Sequence, residues 1–419
     1  MSGYRTRIVD QIVEDALATF GAVIIRGPRA VGKTTTGLQV AASNIRLDSS
    51  PEIVALAETS PRTVLAGQPP RLIDEWQLAP TLWNAVRHEV DERALPGQFV
   101  LTGSSTPPDD ITRHSGAGRF RRVTLRPMTL AESGDSTGAF TLADLFDGAQ
   151  IAGVGGPTVE NYTELLVRGG WPALVAQPSR SAQEYLSSYL DDVTLVDLPH
   201  ADLRADPLRM RALIRALARN VSTEISAAKL SKEAEIGTSD TEVSAQTVRK
   251  YLDALTRVFV IEEQPAWATH LRSKVRLRTQ PKWHFIDPSL ATAAMGASQQ
   301  MLLDDLNTLG LLFESMCIRD LRVYAQQLSG SVYHYRDEVG LEVDAIVELN
   351  DGRWAAFEVK MGGTKNIELA AHNLTSLAAK VSEKRAGQLA SLNVLTAGTT
   401  SYTRPDGINV VSLGHLGAI

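Results

Sequence analysis

Residues Gly27-Pro28-Arg29-Ala30-Val31-Gly32-Lys33-Thr34 form a G-x-x-x-x-G-K-T sequence, and this stretch constrains the fold more than any other. An apolar run, Ala22 to Ile25, precedes it, and a helix-compatible segment, Thr35 to Ala42, follows. Strand, glycine loop and helix in that order are what a phosphate-binding P-loop requires. The glycines let backbone N–H groups turn inward around phosphate oxygens, because no Cβ blocks the approach. The following helix directs its positive dipole end at the same anion. Lys33 can reach the β- and γ-phosphates, and the Thr34 hydroxyl can sit on Mg²⁺. Gly27 through Thr35 are therefore the candidate ATP-binding residues.

Where β- and γ-phosphates bind, a second acidic motif is expected on a neighbouring strand. Arg71-Leu72-Ile73-Asp74-Glu75 supplies it, an apolar pair ending in two acids. This Walker B pattern falls ~40 residues after the lysine, and both motifs should meet at the carboxyl edge of one parallel sheet. Asp74 would hold Mg²⁺, directly or through water, and Glu75 would polarise the attacking water. Before the P-loop, Ile8, Val9, Ile12, Val13, Ala16 and Leu17 recur at helical spacing. Phe99 to Ser105 reads as a further strand ending in a polar turn. Thr102 or Ser104 can act as a γ-phosphate sensor there, or can simply hydrogen-bond the strand end. Arg119, Arg121 and Arg122 can supply a finger on developing phosphate charge, in cis or from a neighbouring copy in a homo-oligomer, or can be solvated surface residues.

At 419 residues the chain is too long for one ordinary core. Its 43% hydrophobic and 21% charged residues are those of a globular protein, and its net charge of −6 does not mark the whole chain as polyanion-binding. One cysteine, Cys317, excludes an intramolecular disulfide framework and thiolate zinc clusters and suits a reducing cytoplasm. It falls in an apolar helical stretch and is read as a core thiol. No apolar run approaches the ~18–20 residues of a membrane span, and the N-terminus has no signal-peptide core.

The blocks "GPRAVGKTT", "LIDEWQ", "FVLTGSS" and "GRFRRVTLRPMTLAE" resemble those of a prokaryotic AAA-type P-loop ATPase family. Its members carry a C-terminal domain of uncharacterised function with a restriction-endonuclease-like core. The resemblance covers nearly the whole chain, with Ser104 at a sensor position where many AAA proteins have Asn. It implies a P-loop ATPase with such a C-terminal domain. With the residue patterns that follow, the expectation is an α/β fold in three parts: a P-loop ATPase domain at 1–155, a helical lid and winged helix-turn-helix region at 156–284, and a restriction-endonuclease-like domain at 285–419.

In the middle segment, Gly155-Gly156-Pro157 marks a boundary. "LLVRGGWPALV" resembles the same family's next block, with Gly169, Gly170 and Pro172 in a turn between helices and Trp171 a packing residue. Asp191, Asp192 and Asp197 lack further ligands and read as a solvated helix face. Three helical patterns follow, beginning at Met210, Ile225 and Ser244, and then a β-like run from Val258 to Glu262. That order suggests a winged helix, with Arg249 and Lys250 on the outward side of the third helix, where DNA readout would occur. The module can equally serve as a lid or a protein contact. Arg272, Lys274, Arg276 and Arg278 would share one strand face, either tracking a phosphate backbone or protecting an edge strand from aggregation.

Near the C-terminus, Tyr333 to Arg336, Leu341 to Glu348 and Trp354 to Lys360 read as three strands. Asp344 followed by Glu358-Val359-Lys360 matches the D…E-x-K signature of PD-(D/E)XK nucleases. Residues two apart on a strand share a face, so Glu358 and Lys360 point together. Asp344 on the adjacent strand can join Glu358 in enclosing Mg²⁺, and Glu314 on the preceding helix can support them. The metal can generate hydroxide while Lys360 stabilises charge or orients water. The expectation is an ATP-binding, Mg²⁺-dependent ATPase coupled to a nuclease-like module that cuts or binds DNA. The alternative is a nucleotide-switched scaffold that binds DNA or a protein without cleavage.

Overall fold

The structure is a computed structural model describing residues 3–104, 116–198, 206–235, 244–269 and 280–419. The chain forms two compact units. The first comprises Met1–Arg126 with Val196–Arg204 and Asp253–Val260; the second comprises Pro127–Leu195, Ala205–Leu252 and Ile261–Ile419.

The first unit is built on a parallel sheet of β1 (Ala22–Arg26), β2 (Ser43–Arg46), β3 (Arg71–Asp74), β4 (Phe99–Gly103) and β5 (Phe120–Thr124), in the order β2-β3-β4-β1-β5. A parallel sheet buries both faces under crossover helices, so its inner strands are apolar throughout rather than alternating. β1 and β4 have that character. Ala22 and Ile24 join one core with Phe99, Leu101, Trp76 and Trp83. Val23 and Ile25 join the opposite core with Val9, Val13, Leu72 and Val100. The helix Ile8–Thr19 supplies Val9 and Val13, the face read from its spacing.

The second unit contains a seven-stranded sheet. Its strands are β7 (Ala152–Val154), β10 (Gly330–Arg336), β11 (Glu342–Leu349), β12 (Trp354–Lys360), β13 (Leu389–Thr396), β14 (Thr400–Thr403) and β15 (Asn409–Ser412), in the order β10-β11-β12-β13-β15-β14-β7. Two short pairs accompany it, β6 (Phe140–Thr141) with β16 (Leu416–Gly417), and β8 (Ile261–Gln264) with β9 (Lys282–Phe285). The helix Leu306–Gln327 packs on β10, β11 and β12, and the helix Thr364–Lys380 packs on β11, β12 and β13.

Domain edges differ from those expected at 155/156 and 284/285. Residues 127–155 pack with the C-terminal strands, because their short strands have edges that only those strands complete. β7 pairs with β14, β6 pairs with β16, and the Ser136 hydroxyl donates to the carbonyls of Gly414 (2.9 Å) and Leu416 (2.6 Å). Position 285 is likewise interior to the unit. Asp287 accepts from the Gly170 N–H (3.0 Å) and from buried Arg319 (2.8 Å), and the helix Pro288–Met295 packs on Val159–Arg168, Ser179–Asp192 and Pro207–Arg219. Trp171 is fully buried and donates to the Ser289 hydroxyl (3.2 Å), a packing role. A Cβ on Gly170 would collide with the Met128 backbone, which restricts that position to glycine.

Helices Pro207–Arg219, Ala227–Glu235 and Ala245–Arg257 precede the β8–β9 ribbon. The strand expected from Val258 begins instead at Ile261. Phe259 has a φ of 58°, a left-handed turn that no extended strand accommodates. The acids read as one solvated face are divided: Asp191 pairs with Arg211 (2.9 Å) in the second unit, and Asp197 pairs with Arg29 of the P-loop (2.9 Å) in the first. Cys317 is a buried free thiol, and burial pushes its pKa well up. Among the described residues, no helix is long and apolar enough to cross a membrane.

Candidate functional sites

In the first unit, the loop Gly27–Gly32 leaves the carboxyl end of β1 and enters the helix Lys33–Val40. Gly32 caps that helix at φ 101°, a left-handed conformation suited to glycine, and its carbonyl accepts from the Thr36 N–H (2.9 Å). A Cβ on Gly27 would collide with the Leu125 carbonyl oxygen, so the first glycine is needed for close approach of two chain segments. The Lys33 ammonium donates to the carbonyls of Gly27 (3.0 Å) and Pro28 (2.7 Å). Burial pushes its pKa down to about 8, against the pull of Glu75 and Asp74.

Asp74 ends β3 and is 1% exposed. The Thr34 hydroxyl donates to its two carboxylate oxygens (2.8 and 3.1 Å), and the Thr102 hydroxyl on β4 donates to Oδ1. Glu75 follows at φ 54°, a left-handed turn that takes its side chain out of the strand's alternation. Gln77 Nε2 and, at 3.5 Å, the Ser104 hydroxyl meet its Oε2. Thr102 and Ser104 thus contact the acidic pair itself rather than serving only the strand backbone.

The three arginines lie elsewhere. β5 sets Phe120 beside Ala22 and Thr124 beside Arg26, so Arg119, Arg121 and Arg122 fall toward the amino end of the sheet, ~10 Å or more from the P-loop by strand rise. Arg119 pairs with Asp91 (2.6 Å), and Arg122 lies over the Trp83 ring (5.5 Å). The register does not support a finger in cis.

In the second unit, β11 and β12 are antiparallel with Ala345 beside Phe357, which continues to Asp344 beside Glu358 and Glu342 near Lys360. These four side chains form a block at one end of the two strands. A cleft of about 450 Å³ opens there, lined also by Glu314 and Lys282. The sequence-predicted residues Glu314, Asp344, Glu358 and Lys360 are thereby brought to one place.

Their partners are mostly nitrogen donors. Lys360 Nζ lies 2.6 Å from Glu358 Oε2 and 3.5 Å from Asp344 Oδ2. Asp344 Oδ2 also accepts from the Val359 N–H (2.8 Å), and Glu358 Oε1 accepts from Asn373 Nδ2 (2.9 Å). Lys282, 3% exposed at its side chain, reaches Glu342 (2.8 Å), Glu314 (3.0 Å) and Asp344 (3.6 Å). Burial raises Glu314 to about 8 and Glu358 to about 7, the latter helped by neighbouring Asp344. Burial also acts on Asp344, but Lys282 and Lys360 outweigh it and hold that carboxyl below its ordinary value. Among the described residues, no group of three or more His, Cys, Asp or Glu side chains is arranged to hold a metal. The expected Glu314–Asp344–Glu358 ligand set does not fit Mg²⁺ as it stands, because ammonium groups occupy its inner oxygens.

Sequence reasoning missed Lys282, Glu342 and Asn373. A signal for Lys282 existed: it is a lone cation in Pro281-Lys-Trp-His-Phe285, whose strand residues are all buried. Arg249 and Lys250 are exposed on the helix Ala245–Arg257. Arg272, Lys274, Arg276 and Arg278 lie outside the described residues.

Residues 19–133 match the family model described as an AAA domain. Residues 159–301 and 309–416 match two models described as domains of unknown function, DUF8612 and DUF4143. The chain is 27% identical over 357 residues to the uncharacterized proteins Rv2008c of Mycobacterium tuberculosis and Mb2031c of Mycobacterium bovis, covering 84% of this chain and 73% of each relative. Among solved structures, the Walker-type ATPase PABY2304 of Pyrococcus abyssi aligns with a TM-score of 0.41 and 14% identity, over 68% of this chain and 94% of that one. The ORC2 protein of Aeropyrum pernix, in ADPNP–ADP complexes, aligns with a TM-score of 0.31 and 11% identity, over 71% and 92% respectively. By the AAA-domain match, residues 19–133 are similar to AAA domains, and their loop at Gly27–Thr34 is suited to binding nucleotide.

Proposed function

We propose that this protein is a Mg²⁺-dependent ATPase whose second unit couples nucleotide turnover to DNA through a winged-helix ribbon and a PD-(D/E)XK nuclease-like sheet. The observation that carries the ATPase reading is the junction of Thr34 and Asp74 at 2.8 Å beside Glu75, at the mouth of the P-loop. Thr34 and Asp74 would hold Mg²⁺, which would neutralise phosphate charge during transfer. A hydroxyl can turn its lone pairs toward a cation while a carboxylate keeps its own, so this donor set fits the ion. Lys33 would exchange its contacts with the Gly27 and Pro28 carbonyls for phosphate oxygens. Glu75, held by Gln77 and Ser104, would orient the attacking water and accept its proton. Lys33→Ala should weaken ATP binding by about 100-fold or more in titration calorimetry; unchanged affinity would reject the assignment.

For the second unit, the helix–helix–helix–ribbon order supports a winged helix, and the pairing of Asp344 with Glu358 and Lys360 supports a nuclease-like sheet. Exposed Arg249 and Lys250, with Arg272, Lys274, Arg276 and Arg278, are the residues proposed to meet the phosphate backbone. Neutralising them should lower DNA affinity and flatten its salt dependence; equal affinity in the variant would exclude them. A second reading, a nucleotide-switched module that binds without cutting, is favoured by one observation: the acids of the cleft are held by lysines. Any homo-oligomer would be needed only if an arginine acts in trans.

A further inference from the structure

Lys282 opens β9, and its ammonium group lies within 2.8–3.6 Å of Glu342, Glu314 and Asp344. The ammonium donates to Glu314, meets Glu342 and has Asp344 at ion-pair distance; with N–H donors and no lone pair, it suits a ring of carboxyl oxygens. We propose that Lys282 is a built-in counter-cation that takes the place of a divalent ion among Glu314, Glu342 and Asp344, so that the cleft of the second unit is closed to divalent metal in this arrangement. The comparison with a metal site rests on the nuclease-like reading above; the ion-pair geometry does not.

Two further features support the assignment. First, the remaining inner oxygens face donors too. Asp344 Oδ2 meets the Val359 N–H and Lys360, while Glu358 meets Lys360 and Asn373. A metal ion needs those lone pairs, and two ammonium groups beside it would repel it. Second, Lys282 is not a loosely tethered surface cation. Its strand pairs with β8 through Gln264, its backbone bridges to Glu224, and its side chain is 3% exposed. The ammonium can leave the acids only if the ribbon end moves with it. A chain that retains the acids of a hydrolytic cleft but fills it with its own cation is suited to holding a ligand rather than to hydroxide chemistry.

The test uses the full chain and Mn²⁺ alone, without nucleotide or DNA, with free Mn²⁺ counted by electron paramagnetic resonance. Wild type and Asp344→Asn should bind Mn²⁺ equally. Lys282→Met keeps the apolar stem and frees the acids; it should gain a site at least tenfold tighter, which Lys282→Met/Asp344→Asn loses. Mn²⁺ binding by the wild type that Asp344→Asn removes would overturn the proposal, as would a folded Lys282→Met that gains no affinity. Should Lys282→Met fail to fold, the wild-type and Asp344→Asn pair decides alone. Failure of the nuclease-like reading would appear separately, as an absence of DNA binding with the Mn²⁺ result unchanged.

Discussion

Asp74 and Glu358 each stand at the carboxyl end of a strand with another acid close by, yet their surroundings differ in kind. Asp74 meets two hydroxyls, from Thr34 and Thr102, and the nearest cation, Arg46, is half exposed at 3.6 Å. Glu358 and Asp344 meet two ammonium groups, one of them buried. A hydroxyl can give way to a cation because it retains lone pairs; an ammonium cannot. Acids at motif spacing therefore do not define a metal site until their neighbours are known. In the first unit the neighbours leave room for charge from a ligand, and in the second the charge is balanced within the chain.

Lys282 is the residue on which this difference depends most. Its replacement by Ala leaves three acids around an unfilled buried position, and should destabilise the second unit by about 3–5 kcal/mol in urea melts. A loss below about 1 kcal/mol would mean the cluster is solvated like a surface ion pair. The mirror test in the first unit is Glu75→Gln, which should lower ATP hydrolysis about 100-fold with binding retained, since a neutral amide cannot accept the proton from water. A loss of binding in that variant would assign Glu75 to positioning the loop instead.

A pH series then separates the two sites by sign. Phosphate should raise the pKa of Lys33 above its free value of about 8, so ATP affinity should fall as pH rises through 8, by up to about tenfold per pH unit. In the second unit, Glu314 is raised to about 8 and Glu358 to about 7 by burial. Raised acids bind more protons folded than unfolded. Their contribution is complete below the ordinary carboxylate pKa near 4 and is lost as pH climbs through 7 to 8. The last expected effect is therefore a decline in stability of the second unit between about pH 4 and 8, of up to about 1.4 kcal/mol per pH unit for each raised acid; Asp344, held low, is ionised folded and unfolded there and does not oppose it. Glu314→Gln should flatten it in thermal melts followed across pH.

Much of the first unit was legible in the sequence because its signals are local. Four buried apolar residues, two glycines and a lysine specify strand, loop and helix within a few turns of chain, and the Walker B acids end the next apolar run but one. The Arg119–Arg122 cluster was not legible as a site or a surface, since only the β1–β5 register shows which end of the sheet it occupies. In the second unit the pairing of Asp344 with Glu358 was legible, because side chains alternate on strands. The domain edges were not. β7 and β6 find their partners at Thr400–Tyr402 and Leu416–Gly417, and no local pattern encodes pairing across such separations.

Local chain chemistry specifies a P-loop followed by its acids, and a second set of acids whose order resembles that of a nuclease-like hairpin. Periodicity and backbone chemistry act over a few residues, and these features need nothing longer. What each set of acids faces depends on the folded arrangement. Lys282 is far from Asp344 along the chain, and a charge acts through space, so its effect on that site enters only once the β8–β9 ribbon is folded against the sheet.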